Sequence, residues 1–138
     1  MKRYIVTAIS LETRSEFPLA IEADEGETTN DIILSTHING VYISAKNDGY
    51  FLAFQELRDK LLEQGIGMKC AGSKLNAVQS GMASATPKIY MVTLGQQALL
   101  KDLVSIYDNT DEDEFPNSES QNNYTKKWLD SLKAKRTE

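Results

Sequence analysis

The residues with the greatest chemical potential lie in one polar stretch, residues 67 to 84, GMKCAGSKLNAVQSGMAS. It contains the chain's single cysteine, Cys70, and no acidic residue. A cysteine acts as a nucleophile when a neighbouring base activates it, and histidine is the usual base. His37 is the only histidine, and the spacing of the two residues gives no support for a dyad. A small enzyme that uses Cys70 therefore stays an alternative hypothesis.

Phosphate and metal sites have little support in the sequence. The loop at residues 71 to 76, AGSKLN, lacks the spacing of the Gly-x-x-x-x-Gly-Lys-Ser/Thr phosphate loop. One cysteine and one histidine cannot form a structural zinc site, and the acids at 108 to 114 lack the central glycine and distal glutamate of a calcium loop. We therefore expect no catalytic residue, metal or cofactor. The enzyme alternative includes the hypothesis that the loop at 71 to 76 binds a phosphate-type ligand.

Length and composition favour one cytoplasmic domain over residues 1 to 138. The hydrophobic share of 41% and charged share of 25% are those of ordinary globular proteins. No apolar run is long enough to cross a membrane, and the N-terminal residues do not resemble a signal peptide. A single cysteine fits a reducing compartment. We expect no membrane partner.

The first half of the chain is predicted to contain strands and one helix. Residues 2 to 11 and 17 to 23 have strand patterns, and Pro18 confines the second to a sheet edge or places the proline at a strand start. Residues 32 to 47 indicate a hairpin around Asn39-Gly40. A helix follows from Tyr50 to Gly65. Its predicted core face contains Tyr50, Ala53, Phe54, Leu57 and Leu61, and its predicted polar face contains Gln55, Glu56, Asp59, Lys60 and Glu63.

The second half is predicted to add short strands and a last helix. Residues 68 to 72, 88 to 95 and 103 to 107 have strand patterns. An acidic loop at about 108 to 118 precedes a basic helix at about 119 to 135, with Tyr124, Trp128 and Leu132 on one face. The sequence predicts an α+β fold: an antiparallel or mixed sheet of about five to six strands with two amphipathic helices.

Charge is unevenly distributed around the net value of −5. The first acidic cluster consists of Glu22, Asp24, Glu25 and Glu27, and the second consists of Asp108, Asp111, Glu112, Asp113 and Glu114. Nucleic-acid binding depends on Lys and Arg contacts to phosphates, so an acidic body argues against a nucleic-acid partner. The same charge suits a basic protein partner.

The chain from about residue 50 to Trp128-Leu129 resembles a group of small bacterial proteins. Their pattern contains Cys-Asn-Gly-x-Arg, Val-x-Pro-Ser-Gly-Met and Asp-x-Val-x-Ile-Phe. The matching segments here are Cys70-Ala71-Gly72-Ser73-Lys74, Asn76-Ala77-Val78, Ser80-Gly81-Met82, Lys88-Ile89-Tyr90, Gly95 and Asp102-Leu103-Val104-Ser105-Ile106-Tyr107-Asp108. Ala71, Lys74 and Gln79 depart from the pattern, where Asn, Arg and Pro are expected.

The group includes immunity proteins of contact-dependent growth inhibition and related toxin systems. The resemblance implies a protein that binds a cognate toxin domain, often a nuclease with a basic cleft. It carries no catalytic residue over to this chain. We expect the second acidic cluster to contact the toxin, with the first acidic cluster as the alternative surface.

A third hypothesis is a non-catalytic structural or interaction module. In that case the edge of the hairpin at residues 35 to 45 would add a strand from a partner protein.

Overall fold

The computed structural model describes all residues except Thr28, Glu112, Thr137 and Glu138. For residues 134 to 136 it describes the main chain but not the side chains. It has the predicted α+β fold. The strands are β1 (Lys2–Ser10), β2 (Glu16–Glu25), β3 (Ile32–Ile38), β4 (Val41–Asn47), β5 (Ile66–Met68), β6 (Ala77–Val78), β7 (Lys88–Met91) and β8 (Leu103–Ser105). The helices are α1 (Tyr50–Glu63) and α2 (Ser118–Arg136).

The strands form two antiparallel sheets instead of one. The larger has five strands in the order β4-β3-β2-β1-β5, and the smaller has three in the order β6-β7-β8. The predicted number of strands fits the larger sheet alone. Strands β7 and β8 confirm the strands predicted at 88 to 95 and 103 to 107, although both are shorter than predicted, and β6, with two residues, is too short for a sequence pattern.

Strand β2 lies inside the larger sheet and not at its edge, and Pro18 lies near the start of the strand, which was the other expected position. Its pairing explains how the proline is accommodated. Thr7 is opposite Pro18 in β1, but β2 pairs with β3 only over Glu22–Glu25. Pro18 therefore lies in a part of β2 that has a single paired neighbour, so its missing N–H removes no bond from the sheet.

The predicted hairpin and first helix are confirmed. Asn39 and Gly40 both have positive φ angles, 50° and 78°, as the tight turn between β3 and β4 requires. Helix α1 packs its predicted apolar face, which is fully buried, against one face of the larger sheet. Gln55, predicted to face solvent, is also buried, because it contacts α2.

The opening polar stretch forms less strand than predicted. Strand β5 ends at Met68, and residues Ala71–Ser73 form a 3-10 turn. Cys70, between them, makes an isolated antiparallel bridge with Asn109. The stretch therefore connects the larger sheet to the segment that contains the second acidic cluster.

Candidate binding surface

The main chain at the start of the second acidic cluster is fixed against residues 69 to 71. Ala71 N donates to Asp108 O at 2.8 Å, and Thr110 N donates to Lys69 O at 3.1 Å. The Asp108 carboxylate accepts a bond from Ser105 N at 3.1 Å and so closes a local turn. Asp108 thus holds the segment in place, and it is less available to a partner than the acids that follow.

The other end of the segment is fixed by a ring and a helix cap. Gly67 leaves room for the ring of Phe115, because a β-carbon at this position would lie 2.7 Å from the ring. Ser118 N donates to the carboxylate of Asp59 at 3.1 Å, and Ser120 N donates to Asn117 Oδ1 at 3.0 Å. Asp111, Asp113 and Glu114 therefore lie between two fixed points.

Between these fixed points, Asp111, Asp113 and Glu114 are exposed. None of the three makes an ion pair or a side-chain hydrogen bond to any residue that the structure describes. Glu112, predicted with them, lies outside the described residues. The three carboxylates are free to meet a positively charged partner.

The first acidic cluster has the opposite arrangement, because its carboxylates have partners within the chain. Glu22 pairs with Arg3 at 3.4 Å, and Glu27 pairs with the N-terminal ammonium at 2.6 Å. Asp24 is buried and accepts a hydrogen bond from Glu27 N. Pairing within the fold makes this alternative surface the weaker candidate.

Glu25 is the member of that cluster most involved in the fold. Its Oε2 atom accepts bonds from Tyr50 at 2.7 Å and Tyr4 at 2.9 Å, and Lys2 lies 3.3 Å from its Oε1. The Tyr50 and Tyr107 hydroxyls lie 2.9 Å apart. Because Tyr50 gives its one proton to Glu25, Tyr107 is the donor in this second bond.

This group of tyrosines connects four parts of the fold. The rings of Tyr4 and Tyr107 stack with their centroids 4.0 Å apart. Burial raises the pKa of Tyr50 and of Tyr107, so both hydroxyls stay protonated. Burial opposes ionisation of Glu25, but the hydrogen bonds from the tyrosines and Lys2 lower its pKa below the usual value. No sequence pattern indicates this group, because its members are far apart along the chain.

Cys70 and His37 are not brought together. Cys70 is completely buried, and burial raises the pKa of its thiol to about 11. His37 is exposed on β3, where its ring lies against Tyr42 at 4.9 Å. A buried, protonated thiol is a poor nucleophile.

The loop at residues 71 to 76 uses its main-chain donors within the fold. Gly72 N donates to Ile106 O at 2.9 Å, Ser73 N to Cys70 O at 3.0 Å, and Lys74 N to Ala71 O at 3.1 Å. A phosphate-binding loop needs such N–H groups free and directed at the ligand. These three N–H groups already have partners.

A buried polar network that the sequence did not reveal fixes α2 to this loop. Gln121 is fully buried and donates to Gly72 O at 2.8 Å and to Lys74 O at 2.7 Å. Its Oε1 accepts from Arg58 at 2.7 Å and Gln55 at 3.0 Å. Arg58 is 1% exposed. Gln121 and Arg58 lie at helical spacing from the apolar residues Trp128 and Phe54, so their burial agrees with their positions on the two helices, although their polar side chains gave no sign of a shared network.

A further groove lies between α2 and residues of the smaller sheet. It has a volume of about 570 Å³ and is lined by Trp128, Leu129 and Tyr90 among others. Nothing in the structure shows what would cover it.

Neither a protein-family model nor a curated protein matches the chain. No helix in the described part of the chain is both long and apolar enough to cross a membrane. Among the described residues, no group of three or more His, Cys, Asp or Glu side chains is placed to hold a metal ion. The surface geometry and charge remain the basis for a function.

Proposed function

We propose that the protein is an immunity protein that binds a cognate bacterial toxin domain and blocks its active site or substrate cleft. A nuclease with a basic cleft is the partner that its charge suits best. The observation that carries the proposal is the unpaired, exposed state of Asp111, Asp113 and Glu114 on a segment fixed at both ends. The resemblance of residues 50 to 129 to immunity proteins supports the same function.

The physical basis is charge complementarity on a preorganised segment. A basic cleft that binds phosphates attracts carboxylates over distances of about 10 Å at ordinary salt concentrations, and this attraction speeds association. Fixing residues 108 to 110 and Phe115 before binding lowers the entropy lost when the complex forms. Occupation of the cleft would then exclude the toxin's substrate.

The test is protection against the toxin domain encoded by the reading frame next to the gene for this chain. The triple variant Asp111→Lys, Asp113→Lys and Glu114→Lys should associate roughly 100-fold more slowly at low salt and should fail to protect growing cells. Its melting temperature should stay close to that of the unmodified protein, since these carboxylates form no ion pair or hydrogen bond with any described residue.

A matched control changes the net charge equally at exposed acids elsewhere. Asp48, Glu63 and Asp130 are exposed and form no ion pair within the described residues. Their triple lysine variant should associate and protect like the unmodified protein. Full protection by the variant at 111, 113 and 114, or equal loss in both variants, would contradict the proposal.

Replacing Cys70 distinguishes this function from the enzyme alternative. Cys70→Ala removes a buried sulfur and should cost about 1 kcal/mol of unfolding free energy, with toxin protection retained at temperatures where the variant is folded. A nucleophile would behave in the opposite way, with activity abolished and stability nearly unchanged. Chemical denaturation and the growth assay together separate the two outcomes.

A further inference from the structure

The N-terminal half of β1 has an unpaired main-chain edge. On one side β1 pairs with β2 over Lys2–Ile9, but on the other side it pairs with β5 only over Ala8–Ser10. The last bond on that side is from Lys69 N to Thr7 O, at 2.7 Å. Because main-chain groups point alternately to the two sides of a strand, the N–H and C=O groups of Arg3 and Ile5 point to this free edge.

A cleft opens where β1 and the start of the second acidic cluster separate. Lys69 bonds to Thr7 of β1, and residues 69 to 71 also bond to Asp108 and Thr110. The two segments, β1 and residues 108 to 110, therefore separate from one shared neighbour. The cleft has a volume of about 390 Å³. Ile5, Thr7, Tyr107 and Asn109 are among the residues that line it.

The charges around the cleft favour a basic occupant. The nearby cations already have acidic partners: Lys2 with Glu25, Arg3 with Glu22, and Lys69 with Glu16 at 2.9 Å. The acids next to Asn109 along the chain, Asp108 and then Asp111 and Asp113, are exposed and form no ion pair with any described residue. The net field at this edge is therefore negative.

The free edge of β4, which belongs to the hairpin predicted for strand addition, is partly blocked. Lys60 donates to Ser44 O at 2.7 Å, so a main-chain acceptor of β4 is already bound. A lysine at an edge strand also discourages pairing with another chain. At the β1 edge, by contrast, Ile5 is 59% exposed and no side chain bonds to the main chain of Arg3 or Ile5 in the described structure.

We propose that the edge of β1 from Arg3 to Ile5 binds an extended basic segment of a partner protein as an added strand. The main-chain N–H and C=O of Ile5 form the central pair of hydrogen bonds, and basic side chains of the segment face the second acidic cluster. That the partner is a toxin domain rests on the proposed function. The free edge and its preference for a basic segment are independent of the proposed function.

The experiment uses amide hydrogen exchange measured by NMR on the full chain. In the free protein, the amide of Ile5 should exchange rapidly, whereas the amides of Tyr4 and Val6 should be protected by their bonds to β2. The probe is a capped peptide of alternating lysine and valine, at millimolar concentration. It should slow exchange at Ile5 by about tenfold or more, and the matching peptide of alternating glutamate and valine should not.

Two variants at one position test the hydrogen bond itself. Ile5→Pro removes the edge N–H without removing a bond to β2, and Ile5→Val retains it. Peptide binding should be lost in the first and kept in the second. If Ile5→Pro does not fold, the effect of the lysine peptide on amide exchange at Ile5 in the unmodified protein is by itself the test of the added strand.

Three results would overturn the proposal: no binding of the lysine peptide, protection of β4 amides such as those of Tyr42 and Ser44, or binding that leaves Ile5 exchanging freely. The two proposals fail separately. Toxin binding with no protection of Ile5 by the peptide refutes the added strand alone. Protection of Ile5 with no toxin binding refutes the proposed function alone.

Discussion

The two acidic clusters have similar sequences and opposite roles in the fold. The first acidic cluster lies on and just after β2, beside a strand that begins with Lys2, Arg3 and Tyr4, and its carboxylates bond to these residues. The second acidic cluster lies beside residues 69 to 71, which offer main-chain bonds, and the nearby Lys69 is paired with Glu16. Acidic composition alone therefore does not identify a binding surface. What distinguishes the two clusters is whether neighbouring strands supply partners for their carboxylates.

The largest effect on stability should come from the first acidic cluster. Glu25→Ala leaves the buried Tyr50 hydroxyl without its acceptor and should cost about 2 kcal/mol of unfolding free energy. Toxin binding by the folded variant should be unchanged, because Glu25 is 12% exposed and faces the interior. Urea unfolding and a binding titration measure the two quantities.

Glu27→Ala is the control for this variant. Among the described residues its carboxylate pairs with an exposed terminal ammonium, so the loss should be much smaller than for Glu25→Ala. Equal losses for the two variants would show that Glu25 has no special role in the fold.

A smaller effect should follow from loosening the second acidic cluster without changing its charge. Gly67→Ala forces the Phe115 ring away from its position and should cost about 1 to 2 kcal/mol. Proteolysis after residue 110 should become faster and toxin association slower, since the segment is less well fixed. A variant that is unchanged in both assays would show that Phe115 does not hold the segment.

The weakest effect is a pH dependence of stability that arises from Glu25. Its pKa in the folded protein lies below 4.5, so its ionised form stabilises the fold above that pH, and the contribution is lost as the pH falls through the folded value. The stability difference between the unmodified protein and Glu25→Gln should therefore shrink on acidification below pH 4.5. A difference that grows on acidification would contradict the hydrogen bonds assigned to Glu25.

The sequence predicted those parts of the fold that depend on local chemistry. The hairpin at Asn39-Gly40 and helix α1 follow from turn preference and apolar spacing, and both are confirmed. Strands β7 and β8 lie within the predicted strands at 88 to 95 and 103 to 107, but the two-residue β6 and the separate sheet that the three strands form were not predicted, because two residues carry no alternating pattern.

For the candidate site, the sequence indicated where the acids are but not which are paired. That distinction depends on Tyr4 and Tyr50 reaching Glu25 across the fold. Likewise, the bonds of Gln121 to Gly72 and Lys74 join residues more than forty positions apart, as no local pattern could show.

The central claim is that Asp111, Asp113 and Glu114 attract a basic toxin domain. The most direct measurement is the association rate constant at increasing salt concentration, for the unmodified protein and the two triple lysine variants. The unmodified protein and the control variant at 48, 63 and 130 should show a steep decrease with salt. The variant at 111, 113 and 114 should be slow and nearly independent of salt. Equal rates for all three proteins at low salt would contradict the claim.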